Sequence, residues 1–253
     1  MFVRNSYRSV MLGCMVTIGT WNLENLFRPG EGSGPDSSTE YEKKLESLAE
    51  TITNLGPDVL AVQEVGDPAA LEDLAGKLQR TWRTVLADPD GRGIRVGFLS
   101  RSAVTKVEEI VDFPEGFSPV QINDKGETIE QMGRLVLKVR VRKDGAMFDI
   151  VSVHLKSKLL SYPGGRFSPR DEGERTRYSV YALHRGAAEA ITKPGWIDED
   201  PPRRSGSQSI VLCGNTSARH RTVREPDRRG CIKRELSWRT FKSGPSPVSF
   251  ETS

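Results

Sequence analysis

At 253 residues, with 36% hydrophobic and 28% charged positions, the chain can build one large α/β domain or two small ones. A formal charge of +3 is too small to argue nucleic-acid binding by itself, which leaves any such argument to a local basic surface. Three cysteines (Cys14, Cys213, Cys231), with no C-x-x-C pair, exclude a disulfide framework and favour a reducing, cytoplasmic setting.

Arg4 and Arg8 precede a short apolar stretch over residues 10–18, an arrangement superficially like a signal peptide. That stretch has no small-x-small cleavage site and runs directly into Val16-Thr17-Ile18-Gly19-Thr20-Trp21-Asn22-Leu23-Glu24, which reads as a first strand. Met11 and Met15 are then plausible starts, and residues 1–14 are expected to be a disordered extension. No apolar run is long enough to span a bilayer, so no membrane attachment is expected.

A loop rich in Gly, Pro and Ser occupies residues 29–38. Tyr41, Leu45, Leu48, Ile52 and Leu55 then recur at helical steps, from an N-cap at Ser38 or Thr39 to a stop at Gly56-Pro57. A second strand, Asp58-Val59-Leu60-Ala61-Val62-Gln63-Glu64-Val65, precedes a helix over 69–78 with Leu71, Leu74, Ala75 and Leu78 on one face. Strands are predicted over 94–99 and 104–111, followed by a surface excursion over 113–133. The strands 134–141 and 147–155 flank Lys143-Asp144-Gly145, a hairpin signal. A loop over 161–169, a long helix over 171–191 and a flexible connection over 198–207 lead to the strand Ser209-Ile210-Val211-Leu212-Cys213-Gly214. From Asn215 onward neither a helical nor a strand period is sustained, and residues 215–253 read as a disordered or frame-shifted Arg-rich tail.

Asn22, Glu64 and His154 each close a different apolar strand. Asn22 and Glu24 lie two apart, which on a regular strand puts them on one face. Glu64 follows an apolar run where an unpaired carboxylate is costly, and a divalent ion held by oxygen ligands resolves that cost. His154 is followed by Leu155-Lys156-Ser157-Lys158, so two lysines make a phosphate-friendly mouth. Alone, Glu64 is best read as a loop carboxylate and His154 as a core histidine; together with Trp21-Asn22 they read as a site. His184, within a helix, and His220, in the tail, lack such company.

Thr20-Trp21-Asn22-Leu23-Glu24, Val62-Gln63-Glu64-Val65, Val153-His154-Leu155 and Leu212-Cys213-Gly214 resemble, in order and spacing, the endonuclease/exonuclease/phosphatase superfamily, most closely its bacterial members with His-Leu-Lys-Ser-Lys. The resemblance covers residues 15–214. It implies a four-layer α/β/β/α sandwich that hydrolyses phosphate esters with Mg²⁺ or Mn²⁺, acting on a nucleic acid or a small phosphate ester, and we expect a monomer. It implies Glu64 as metal ligand, Asn22 beside it, Glu24 as a second acidic group, and His154 on the scissile phosphate. Arg101 and Lys156 are candidate phosphate contacts.

The chain also departs from the family pattern. Where the family shows Gly-Asp-x-Asn, Gly214 is followed by Asn215, Thr216 and Ser217. An amide accepts no proton at neutral pH, so Asn215 cannot serve as general base. The family's closing Asp-His pair has no counterpart, which predicts an incomplete second sheet. Three readings follow: a metal-dependent phosphoesterase by family whose activity is reduced or absent, a binding protein that keeps the metal and phosphate cleft without the base, or a truncated relic.

Overall fold

The structure is a computed structural model that describes residues 16–155, 160–198, 209–215 and 237–241; at 193–198, 209–211, 215 and 237–241 it describes the backbone alone. The expected extension 1–14 and Lys156 lie outside the described residues.

The first strand, β1 (Thr17–Leu26), leads to helix α1 (Ser38–Leu55). The Ser37 side chain caps α1 by accepting from the Glu40 amide, one residue earlier than the sequence signal placed the cap. Tyr41, Leu45, Leu48, Ala49 and Ile52 form its buried stripe, and Gly56, left-handed at φ 58°, ends it with a backbone bond to the Ile52 carbonyl. Strand β2 (Val59–Val65) follows, then α2 (Pro68–Lys77), capped by Asp67 and begun by a proline whose missing amide costs nothing there. Strands β3 (Arg83–Leu86), β4 (Arg95–Ser100) and β5 (Ala103–Asp112) come next.

The stretch expected as a surface excursion is partly core. It holds a small hairpin, β6 (Val120–Gln121) and β7 (Thr128–Ile129), and buries Phe113, Val120 and Met132. Its turn residues dominate the composition and mask three widely spaced anchors. The long hairpin β8 (Gln131–Lys143) and β9 (Ala146–His154) precedes α3 (Glu172–Asp198) and β10 (Ser209–Asn215). A further strand, β11 (Ser237–Phe241), lies in the stretch that shows no sequence period and pairs in parallel with β1. Five residues are too few to display one.

One sheet runs β11-β1-β2-β4-β3 and the other β10-β9-β8-β5. Strand alternation sorts their residues into three apolar seams. Leu60 and Val62 of β2 meet Leu45, Ile52, Leu71 and Leu74 of α1 and α2. Val59 and Ala61 face the other way, into a seam with Phe98, Leu137, Val139, Phe148 and Ile150 between the sheets. Val136, Val151 and Val153 pack outward with Met132 and Ala188 of α3. Helices, sheet, sheet and helix therefore stack as the expected four-layer sandwich. Among the described residues, no helix is long and apolar enough to cross a membrane.

Candidate active site

The candidate side chains gather where regular strand geometry fails. Glu24 and Asn25 take φ of 52° and 53°, and Glu64 takes 59°, a left-handed conformation uncommon for residues other than glycine. The β1–β2 pairing slips between Asn22 and Leu26, and the β2–β4 pairing slips between Val62 and Val65. Bulges of this kind re-aim side chains and are common beside active sites. The slip also corrects the expectation that Asn22 and Glu24 share a face by simple alternation. Instead, Asn22 Oδ1 accepts the Glu24 amide at 2.8 Å, and both residues line one cavity of about 290 Å³ with Lys44.

Glu64 and His154 meet across the two sheets, with Glu64 Oε1 3.4 Å from His154 Nε2. The imidazole is 4% exposed, and its Nδ1 is buried without a hydrogen-bond partner among the described residues. Burial lowers the His154 pKa to about 3, assisted by the positive charges of Arg134 and Arg92 and opposed by Asp90. The ring is therefore neutral at physiological pH, and the Glu64 carboxylate gains no compensating charge from it.

Two pairings fix this meeting. Asn22 is the register partner of Gln63, one residue before Glu64. In the facing sheet Asn215 is the parallel register partner of His154. Gly214, at φ 151°, precedes it, and a Cβ there would lie 2.0 Å from the Val153 carbonyl oxygen, so only glycine lets β10 approach β9 so closely. Asn215 thus lies one strand spacing from His154, about 5 Å.

Cations surround the pair, and sequence reasoning had not singled them out. Arg134 Nε approaches the nearly buried Asp90 carboxylate at 3.4 Å, and Arg92 reaches the same carboxylate at 3.4 Å. Asp90 also accepts the backbone amides of Arg92 and Ile94, which shapes the Gly91-Arg92-Gly93 turn. Lys44 Nζ donates to the Glu24 carbonyl at 2.6 Å; burial lowers its pKa, while Glu24 and Glu64 oppose that shift. The only sequence signals were a Gly-flanked arginine and an arginine entering a strand.

Arg101 does not join the cluster. It sits at the opposite end of β2 from Glu64, where Nη2 donates to the Gly56 carbonyl at 2.8 Å and to Asp58 at 3.1 Å. Its guanidinium also covers the Trp82 ring at 5.6 Å. Six residues of extended strand are about 20 Å, so the phosphate contact suggested for Arg101 is corrected to a structural tie.

Among the described residues, no three His, Cys, Asp or Glu side chains converge as a metal cage. The donor types present are those a hard ion uses: a carboxylate on Glu64, itself 20% exposed, and an amide oxygen on Asn22, which lines the small cavity with Glu24. Mg²⁺ is held in this way, by one or two carboxylates with several waters retained.

No curated protein sequence matches the chain significantly. Among solved structures, a D. rerio TDP2 humanised by 14 mutations is 19% identical, with a TM-score of 0.42 over 79% of this chain and 62% of that one. A mannosyl-6-phosphatase from Bacteroides thetaiotaomicron is 12% identical, with a TM-score of 0.44 over 79% and 64%. A family protein from Leptotrichia buccalis is 16% identical, with a TM-score of 0.40 over 79% and 66%. The chain thus spans less than two thirds of the length of each. A family model gives the assignment these distant likenesses do not: residues 19–238 match it, and the chain belongs to the endonuclease/exonuclease/phosphatase family.

Proposed function

We propose that this cleft binds phosphate esters and hydrolyses them slowly, with a divalent cation held at Glu64 and Asn22. The supporting observation is the neutral, buried imidazole of His154 at 3.4 Å from the Glu64 carboxylate. Leaving a buried polar atom such as His154 Nδ1 unpartnered costs about 1–3 kcal/mol. With Nε2–H turned to the Glu64 carboxylate, Nδ1 is an acceptor, so a water brought in by the hydrated ester, not the phosphate itself, supplies that partner.

Glu64 and Asn22 are the residues that would hold Mg²⁺ or Mn²⁺, with Glu24 nearby as a second carboxylate. When bound, the ion supplies Lewis-acid polarisation of a phosphoryl oxygen. Arg134 and Arg92 give the cleft a positive side that draws an anionic ester towards His154, and Asp90 holds both guanidiniums in place. Neutral His154 orients the phosphate by hydrogen bonding through such a water rather than by charge.

Asn215 favours binding over turnover. It stands beside His154 in register, after the glycine where the family carries a carboxylate, and its amide takes no proton from water. A general base contributes roughly 10²–10⁴-fold, so turnover lies lower by that factor than in a member with Asp there. The ester itself, a nucleic acid or a small phosphate compound, follows from the loops around the cleft.

Calorimetric titration of the purified chain with Mn²⁺ tests the reading, together with hydrolysis of bis(p-nitrophenyl) phosphate. Binding that Glu64→Gln abolishes, and slow hydrolysis that His154→Ala removes, are expected. Robust turnover that survives His154→Ala would place the chemistry elsewhere.

A further inference from the structure

A second cavity, about 700 Å³, opens between the end of β5, the β6–β7 hairpin, the start of β8 and α3. Its volume suits a small-molecule site. We propose that it is a subsite for the aromatic base of the ester, with preference for a base that carries an exocyclic amino group. This rests on the phosphate-ester reading above.

The walls supply the stacking. Phe113 and Phe117 both line the cavity, with ring centroids 5.7 Å apart at 74°. Phe113 is buried and fixed in the outer seam, whereas Phe117 is 37% exposed and offers a ring that the core does not use. Phenylalanine exposed over a cavity is a platform for a flat π-system.

The rim supplies the selectivity. Asp112 and Glu130 bring two carboxylates to the cavity, Asp112 already accepting from Gln131 at 2.8 Å, and among the described residues the lining cation, Arg185, is paired with Glu189 at 3.1 Å. An acidic rim repels a phosphate, so the occupant is the uncharged part of the ester. Carboxylates accept from the exocyclic amino groups of cytosine and adenine, whereas thymine offers only an N3–H flanked by two carbonyl oxygens that a carboxylate repels.

Position links the two sites. Met132 lines the cavity, and Arg134, two residues on in β8, pairs with Asp90 at the phosphate cleft. The backbones of Met132 and Arg134 are about 7 Å apart along the strand, a spacing of the order that one sugar sets between a phosphate and its base. Glu189 closes the seam by accepting the Gly133 amide at 3.2 Å and the Arg185 guanidinium.

Equilibrium binding of adenosine, cytidine and thymidine to the full chain, measured by ligand-observed NMR, separates this subsite from the phosphate cleft, because none of the three carries phosphate. Adenosine and cytidine should bind more tightly than thymidine. Phe117→Ala should weaken adenosine binding about tenfold or more through lost stacking, and Phe117→Trp should retain it. Glu130→Gln should narrow the preference for amino-bearing bases, whereas His154→Ala should leave nucleoside binding unchanged. Adenosine binding that is absent, or equal in Phe117→Ala and the parent, would overturn the subsite. Failure of the phosphate reading would appear instead as Mn²⁺ and phosphate binding insensitive to Glu64 and His154.

Discussion

Replacing His154 by glutamine removes a titrating group while keeping a polar side chain of similar reach, and the consequence is a change in how stability depends on pH. The folded-state pKa of His154 is about 3 against an ordinary 6.5, because burial and the charges of Arg134 and Arg92 oppose the imidazolium. Above pH 6.5 neither the folded nor the unfolded imidazole holds the extra proton, and the full stability is present. Between pH 6.5 and about 3 the unfolded chain takes up a proton that the folded chain refuses, so falling pH favours unfolding. Below about 3 both states are protonated and this loss stops growing. Each pH unit in the window is worth about 1.4 kcal/mol, and the whole shift is worth about 5 kcal/mol. Urea unfolding of the parent and His154→Gln at pH 4 to 8 cancels the groups they share. The parent should gain about 3 kcal/mol over the variant between pH 4 and pH 6.5. The His154 ring proton should also keep its NMR shift down to pH 4. A flat difference between the two proteins, or a ring titration near pH 6.5, would refute the buried neutral imidazole.

Arg101→Ala should cost about 1–3 kcal/mol in urea unfolding through its lost bonds to Asp58 and Gly56, and leave KM for any phosphate ester unchanged. A raised KM with unaltered stability would return Arg101 to the phosphate site. Gly66→Ala should lower stability by about 1–3 kcal/mol, since its new Cβ would lie 2.1 Å from the Phe27 ring; an unchanged melting temperature would show that the ring moves freely. Gln63→Leu keeps the volume but strips the amide from the Thr20 and Ser152 hydroxyls. A stability loss of about 1–2 kcal/mol is expected, together with weaker Mn²⁺ binding in calorimetry.

Much of the sandwich is legible in the chain because burial on strands and helices writes a period. The unbroken apolar run of β2 marks a strand buried on both faces, which the two seams confirm, and the stripe of α1 names its buried side. Elements without a period are silent. Strand β3 is four residues with an arginine at its start, and β11 is five residues. The site was half legible for a related reason. Glu64 and His154 end apolar runs and stand out, whereas Arg134, Arg92 and Asp90 act through a turn and a strand rim that bring them together only in three dimensions. Arg101 shows the converse: it ends a strand as the site residues do, but β4 is antiparallel to β2, so its end lies at the far side of the sheet.

The meeting of Glu64 and His154 depends on two sheets holding a fixed offset, which apolar packing alone enforces weakly because a seam of methyl groups tolerates sliding. A buried polar contact supplies the missing constraint. Gln63 Nε2 donates to Thr20 Oγ1 at 3.2 Å within its own sheet and to Ser152 Oγ at 3.3 Å in the other, and all three residues are buried. Sliding the sheets would leave that amide and hydroxyl unpaired inside the core, at about 1–3 kcal/mol each. Glu64 follows Gln63 by one residue, and His154 follows Ser152 by two. The clasp therefore sits directly beneath the site and transmits the offset to it. Gln63 itself pairs in register with Asn22, and Asn215 with His154, so the same lock places all four candidate residues at one end of the sandwich. The geometry of the proposed phosphate cleft is thus built by residues below it, independently of the residue at position 215. On this argument the proposed cleft keeps its geometry whichever side chain stands at position 215.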